Sequence, residues 1–380
     1  MDSNWKIQIT SFNCGKAFPH KERDSIEDIS YKLIGDGIAQ DMYIFGFQEF
    51  TKIWEGSFGR IVNSYLQVFA LITLNLLHDK YPDKRYNISG LGSLGAIGII
   101  IIVDDIIRVN RTKYAYCKKG ILGSSLKGAV STTITCSKND REEETFSFIC
   151  SHFNANEGET NMKCRIDDYN CILTEIDSQL RLTNFRNGHI FFFGDLNFRL
   201  NKFINGNEIE FNNDLIRQKL LENHDELNLL RKDSKIFQEF EEVPIKFPPT
   251  YKFLIPQAKE PFQENYYNLK RTSSWCDRIL FLKYENPQIT IQTDYKSIKR
   301  TKELVFTDHQ PVTLMVNLPI GTTTNKLKIL STYEATFTKS VPLIGNVTDF
   351  IIGYTGWYIN LEWYYLLLSL VILFIIIKLL

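Results

Sequence analysis

The sequence lacks an excess of either charge. Lysine plus arginine equals aspartate plus glutamate at 44 each, so the chain as a whole carries no basic field of the kind that duplex DNA binding favours. No nucleic-acid partner is expected. Cysteine is sparse and unordered: seven residues in 380, odd in number, without the CxxC or Cys/His spacings of a zinc site. That excludes a disulfide framework and a structural zinc, and indicates a reduced, cytosolic setting. The start, MDSNWKIQIT, lacks the apolar stretch of a secretory signal, so the Asn-x-Ser/Thr triplets at Asn87, Asn110 and Asn346 are read as chance matches. No internal repeat is visible.

What is present describes a globular α/β chain. With 44% hydrophobic and 23% charged residues there is ample material for a core. Short β-rich runs recur at Lys6 to Asn13, Met42 to Gln48, Gly98 to Val103, Gly128 to Thr135, Thr145 to Ser151, Ile190 to Phe193, Arg278 to Leu282 and Val312 to Leu318. Between them lie windows of helical spacing, Phe58 to Lys80, Arg165 to Asn184 and Asp214 to Arg231. Strands alternating with helices predict a layered α/β domain over residues 1–318.

The C-terminal part differs in composition. After Leu318 a polar stretch opens a linker and juxtamembrane segment, 319–362, whose apolar part from 343 to 359 is interrupted by Asn346, Asp349, Gly353 and Gly356. Trp363 to Ile377 holds no charged residue, and the run to Leu380 gives about 18 residues, the lower limit for a helix that crosses a bilayer. Aromatics Trp357, Tyr358, Trp363, Tyr364 and Tyr365 sit at its near boundary, where interface-seeking rings gather. We therefore expect a transmembrane tail anchor at 363–380, with the catalytic domain in the cytoplasm. The span is short and only Lys378 lies beyond Ile377, which favours the endoplasmic reticulum membrane.

Chemistry is concentrated at strand ends. Residues 191–199, FFFGDLNFR, read as a buried strand ending in Asp195 and Asn197, which an extended chain would point to one side. A carboxylate beside a carboxamide there suits the deprotonation and aiming of a water. Glu49 ends the second strand, and a lone carboxylate among amide and water oxygens suits magnesium. Further groups are His152 after an apolar strand, Asp277 in Trp275-Cys276-Asp277-Arg278, and Asp308-His309. Each alone has an ordinary structural explanation; the set does not.

Together with Asn13, and in this chain order, these residues resemble the endonuclease/exonuclease/phosphatase superfamily. GDLNFR, RTSSWCDRIL and FTDHQPV are similar to the signatures of its inositol polyphosphate 5-phosphatases. The resemblance is closer to tail-anchored fungal phosphatidylinositol 4,5-bisphosphate 5-phosphatases, through NCGK at 13–16, NANEG at 154–158, LLENHDELNLLRK at 220–232, FPPTYKF at 247–253 and IGYTGW at 352–357. It implies a four-layer α/β/β/α sandwich, and Mg2+ held by Glu49 with Asn13 and Asp308 nearby. It also implies Asp195 as base, Asn197 aiming the water, His309 fixed by Asp277 as phosphoryl donor, and His152 as a further donor. Lys127, Tyr251, Lys252, Lys270 and Arg271 match positions that handle substrate phosphates. The chain departs from the family's pattern at Leu126, at Ser273 and Ser274, and at Ser11-Phe12. No cysteine is followed by arginine six positions later, so a phosphocysteine route is excluded. The implied function is hydrolysis of the 5-phosphate of a membrane phosphoinositide. Rival readings are a nuclease or phosphodiesterase on the same scaffold, and a silent phosphoinositide-binding tether.

Overall fold

The computed structural model describes residues 4–138, 141–184, 188–204, 211–256, 267–268, 270–286, 291–329, 341–361 and 363–379. Of the expected linker, 330–340 and 362 lie outside the described residues, as does position 380 of the expected anchor.

Twelve strands are named: β1 (Asn4–Asn13), β2 (Met42–Gln48), β3 (Tyr86–Leu94), β4 (Ile97–Asp104), β5 (Ile107–Lys118), β6 (Gly128–Lys138), β7 (Glu144–His152), β8 (Gly188–Asp195), β9 (Phe240–Glu241), β10 (Asp277–Leu282), β11 (Gln292–Ser297) and β12 (Val312–Pro319). They form two six-stranded sheets, ordered β11-β12-β1-β2-β4-β3 and β5-β6-β7-β8-β10-β9. Each sheet has one parallel pair, β1 with β2 and β7 with β8, among antiparallel neighbours. The helices are α1 (Arg23–Ile34), α2 (Ile53–Gly56), α3 (Gly59–Lys80), α4 (Glu159–Leu180), α5 (Asp214–Asn223), α6 (Glu226–Lys232), α7 (Val341–Ile359) and α8 (Trp363–Leu379).

Alternation along the strands builds the four layers. Ile44, Ile99, Ile101, Phe146, Phe148, Phe191 and Phe193 point inward and fill the space between the sheets. Their neighbours Tyr43, Phe45, Phe47, Ile100 and Ile102 face outward to Ile29 and Leu33 of α1 and Leu66 and Phe69 of α3. On the other side Ile149, Ile190 and Phe192 meet Tyr169, Ile172 and Ile176 of α4 and Leu227 of α6. Because central strands such as β2 and β4 are covered on both faces, their sequences are continuously apolar. The sandwich expected from the resemblance is therefore present.

Several boundaries differ from expectation. The helix expected over Asp214 to Arg231 is two helices, because Asp225 leaves the first and caps the second by accepting from the Asn228 amide at 3.0 Å. Edge strands β5 and β11 escaped the apolar pattern because half of each faces solvent with polar side chains. The apolar segment 343–359, read as an interfacial stretch or part of a hairpin, falls within one continuous helix, α7, packed on the domain. α8 is helical and apolar at 17 residues, short of the roughly 20 typical of a spanning helix. Among the described residues α3 alone has the length and apolar composition to cross a membrane, and its inner face is instead sealed on the first sheet by Val62, Leu66, Phe69 and Leu77.

Candidate active site

The C-terminal ends of both parallel pairs converge, bringing Asn13, Glu49, His152 and Asp195 to one place. β8 delivers Asp195 in register with His152 of β7 on one side and Asp277 of β10 on the other. Gly194 just before it has φ +139°, and a β-carbon there would strike the Ser151 carbonyl, so only glycine fits this turn of the strand. Asp195 is buried, and its Oδ2 accepts from Asn13 Nδ2 at 2.8 Å, with His152 Nε2 at 3.2 Å and His309 Nε2 at 3.9 Å. Its Oδ1 accepts from the Asn197 amide at 3.1 Å. Burial alone would raise its pKa, but the His309 charge, the His152 hydrogen bond and the Lys127 charge outweigh it and hold Asp195 well below the usual carboxylate range. Asp195 is thus an ionised acceptor at every physiological pH.

The histidine facing it is set by a buried partner. His309 Nδ1 donates to Asp277 Oδ2 at 2.9 Å, and the same oxygen accepts from Thr250 Oγ1 at 2.7 Å. Burial opposes a charged ring, yet the Asp277 and Asp195 carboxylates push His309 up to about 9. Burial also raises Asp277, whose Oδ1 is enclosed without a hydrogen-bond partner among the described residues. Thr307 joins the two sides of the site, donating to the Asn13 carbonyl at 2.9 Å and accepting from the His309 amide at 3.2 Å.

His152 Nε2 lies against Lys127 Nζ. Burial, then the Lys127 charge, lowers the His152 pKa, so the ring is neutral; burial likewise lowers that of Lys127. Lys127 therefore stands within the cluster around Asp195 rather than apart from it. Glu49 has φ +46°, a strained position of the kind found at functional sites. Its side chain is 25% exposed, with Oε2 3.3 Å from Lys16 Nζ and Oε1 3.9 Å from His152 Nε2.

Two groups of side chains offer ligand atoms to a cation. Asp195, Asp277 and His309 offer ligand atoms within 4.8 Å of one another, but the His309 ring is cationic and its Nδ1 is taken by Asp277, which repels a metal ion. Glu49 and Asn13 fit better: an accessible carboxylate and an amide oxygen that accepts from the Gly15 amide at 3.0 Å are a hard oxygen set of the kind that binds Mg2+ together with water. Asp308, expected beside the metal, instead pairs through Oδ2 with Lys252 Nζ at 3.0 Å. It holds the Lys252 ammonium in place.

Asn197 corrects the reading of the strand end. It has φ +55°, so the chain has already left the extended conformation and the i, i+2 rule no longer applies. Its Nδ2 donates to the Phe153 carbonyl at 3.2 Å, and its Oδ1 accepts from Arg199 Nη2. Only its backbone amide serves Asp195. Arg199, which the sequence reading passed over, is buried, bonds the Asn197 carboxamide and stacks 4.3 Å from the Tyr251 ring centre. Tyr251 in turn lies 4.6 Å from the His309 ring. Thr250 was also missed; its place beside Tyr251 in FPPTYKF was the available signal. Lys270 and Arg271 are exposed, with the Lys270 amide bonded to Asn268 Oδ1 at 3.0 Å, and Arg271 is near enough for its charge to oppose that of Lys252. Within the Trp-Cys-Asp-Arg block only Asp277 faces the site. Cys276 is buried with a strongly raised pKa, and Arg278 is locked to Asp225 at 3.0 Å and Glu242 at 2.5 Å.

Residues 10–315 match the Endonuclease/Exonuclease/phosphatase family 2. The chain belongs to this family. Within the family its relatives are inositol polyphosphate 5-phosphatases. It is 30% identical to the phosphatidylinositol 3,4,5-trisphosphate 5-phosphatase 2A of Danio rerio, over 72% of this chain and 20% of the relative. It is 27% identical to the phosphatidylinositol 4,5-bisphosphate 5-phosphatase INP51 of Saccharomyces cerevisiae, over 80% of this chain and 30% of the relative. The chain thus spans under a third of the length of either. Among solved structures, the inositol polyphosphate 5-phosphatase domain of SPsynaptojanin, in complex with inositol (1,4)-bisphosphate and a calcium ion, superposes with a TM-score of 0.60 at 24% identity. That match covers 83% of this chain and 84% of the domain, and establishes the shared fold.

Proposed function

We propose that this chain is a magnesium-dependent phosphoinositide 5-phosphatase that converts phosphatidylinositol 4,5-bisphosphate to phosphatidylinositol 4-phosphate and inorganic phosphate at a membrane surface. The observation that carries the reading is the buried Asp195 carboxylate, held by Asn13 and His152 and faced by the Asp277-bound His309. In this arrangement Asp195 accepts a hydrogen bond from the attacking water and takes its proton as the oxygen–phosphorus bond forms. Its low pKa means that the proton passes on rather than resting there. The Nε2–H of the His309 imidazolium donates to the phosphoryl oxygens where negative charge develops. Asp277 keeps that ring charged and oriented, while Lys127 adds a donor from the opposite side and His152 holds Asp195. The ester oxygen leaves with its electron pair and takes one proton from solvent water to become the inositol hydroxyl, which balances the proton that Asp195 takes from the attacking water and releases to solvent. Glu49 and Asn13 would hold Mg2+, which supplies charge neutralisation to the phosphate and the departing oxygen when bound. Positioning and charge suffice for such a transfer.

Lys252, aligned by Asp308, and the neighbouring Arg271 and Lys270 supply cations for the 4-phosphate, with Tyr251 packing between them and His309. A lipid is favoured over a free inositol phosphate by what surrounds the site. Ile121 and Leu122 are exposed on the loop leading to Lys127, and Phe350, Ile351, Tyr354, Trp357 and Ile359 of α7 are exposed as well. A bilayer would cover them. α8 would then be the tail anchor, its short length suiting the thin endoplasmic reticulum bilayer, with the domain in the cytoplasm. A fluorescent fusion of residues 340–380 on another organelle would refute that placement.

The test is phosphate release by the full chain with Mg2+ from phosphatidylinositol 4,5-bisphosphate, phosphatidylinositol 3,4,5-trisphosphate and soluble inositol trisphosphate. The bisphosphate lipid should be preferred. Equal turnover of all three would indicate a broader 5-phosphatase, and binding without turnover would leave only a tether.

A further inference from the structure

α7 lies beyond the family-matched segment, which ends at residue 315, yet it is seated beside the loop that ends in Lys127. Its packed side is made by close approach. A β-carbon at Gly345 would collide with the Gly123 carbonyl oxygen, at Gly353 with Ser57 and Phe58, and at Gly356 with Trp54. These glycines and Asp349 are separated by four, four and three residues, so they share one helix face. Two of them are the glycines of IGYTGW, which the catalytic reading leaves without a role.

Asp349 is the one charged residue of α7 and is 8% exposed. Its Oδ1 accepts from the Ser125 amide at 2.8 Å and the Ser125 hydroxyl at 3.0 Å. Its Oδ2 accepts from Lys118 Nζ at 2.7 Å, and that ammonium also donates to Asn346 Oδ1 at 2.7 Å. A carboxylate buried in an otherwise apolar helix is costly unless paired in this way. The next lysine, just past the end of β5, reaches elsewhere. Lys119 Nζ meets Asp167 at 2.5 Å and Asp168 at 3.8 Å on α4. Asp168 in turn accepts from the Asn154 amide at 2.7 Å, two residues past His152. The base of the loop is closed by the Lys119 amide donating to the Lys127 carbonyl at 2.8 Å. The loop is therefore gripped from two flanks, one of them α7, and its last residue delivers an ammonium to His152.

We propose that Asp349 is a positioning residue for Lys127. Through Ser125 and Lys118 it fixes the 118–127 loop so that Lys127 stands at the phosphate site, and detachment of α7 weakens substrate binding without removing the chemistry. The apolar outer side of the same helix faces the bilayer invoked above, so membrane contact and loop placement act on one element. The kinetic part rests on the phosphatase reading; the structural part does not.

The test uses the full-length chain and the variants Asp349→Ala, Asp349→Asn, Gly356→Leu, Lys127→Ala and the Asp349→Ala/Lys127→Ala double. Amide hydrogen exchange is followed over 119–127, and kcat and KM are measured on water-soluble short-chain phosphatidylinositol 4,5-bisphosphate. Asp349→Ala and Gly356→Leu should each speed exchange in the loop and raise KM about tenfold, as loss of a charge-assisted hydrogen bond implies, with kcat changed less than about threefold. Asp349→Asn, which keeps an oxygen for Ser125, should fall between them and the parent. The double variant should be no worse than Lys127→Ala alone. Unchanged exchange and KM in both Asp349→Ala and Gly356→Leu, or fully additive effects in the double variant, would overturn the proposal. If the parent releases no phosphate the phosphatase reading fails, and exchange alone then decides whether α7 holds the loop.

Discussion

Asp277 Oδ2 lies 2.9 Å from His309 Nδ1 in a buried pair, and on the far side of the ring Nε2 lies 3.9 Å from the Asp195 carboxylate. The ring therefore stands between two negative groups, Asp277, which orients it, and Asp195, which on the proposed mechanism faces the attacking water. This relationship fixes the charge of His309 and with it the pH range in which the site works.

The alkaline limit follows from that charge. His309 has a folded-state pKa of about 9, above its ordinary value, so the stability it contributes is fully present below about pH 6.5 and is lost as pH rises through about 9. Donation to the phosphoryl group needs the same proton, so kcat/KM should fall above about 9. Asp277→Asn removes the largest of the charges that raise it. Its alkaline limb should move down by at least about one unit and its rate fall roughly 10²- to 10⁴-fold. A pH–rate profile of parent and variant checks both.

Asp195→Asn keeps the shape of the side chain and removes the acceptor charge. Turnover should drop by about 10³-fold or more while the circular dichroism spectrum is retained. Normal turnover in this variant would remove Asp195 from the centre of the account.

Chelation should abolish phosphate release, and added Mg2+ should restore it. Because Glu49 is the accessible carboxylate of the oxygen set, Glu49→Gln should raise the half-saturating Mg2+ concentration about tenfold or more, as loss of a charged ligand does. Metal titration of activity is the measurement.

Two arginines separate function from framework. Arg199→Lys loses the planar fork that bonds Asn197 and stacks on Tyr251, so KM should rise and stability should fall by about 1–3 kcal/mol. Arg278→Ala strands Asp225 and Glu242 in the core; it should cost about 3–5 kcal/mol in denaturant unfolding with KM unchanged.

Most of the fold was legible because the central strands are buried on both faces and leave continuous apolar runs. β5 and β11 were not, since edge strands alternate with solvent-facing polar residues that resemble loop. Asp195, His152 and Asp277 were legible because each ends or begins a strand whose pattern is strong, and His309 because it shortly precedes another, β12. Asn197 was misplaced because one left-handed residue turns its side chain away, and no pattern in GDLNFR announces that φ. Asp308 read as a metal neighbour because its proximity to the cluster was clear while its partner Lys252, 56 positions earlier, was not. Asp349 was noted only as a break in an apolar run, since its partners Lys118 and Ser125 lie over 220 residues away and no local spacing links them.

Identification of the phosphate that leaves tests the central claim most directly. With Mg2+ and phosphatidylinositol 4,5-bisphosphate, the full chain should yield phosphatidylinositol 4-phosphate as the product, and Asp195→Asn should yield almost none. Formation of phosphatidylinositol 5-phosphate, or equal product from parent and variant, would contradict it.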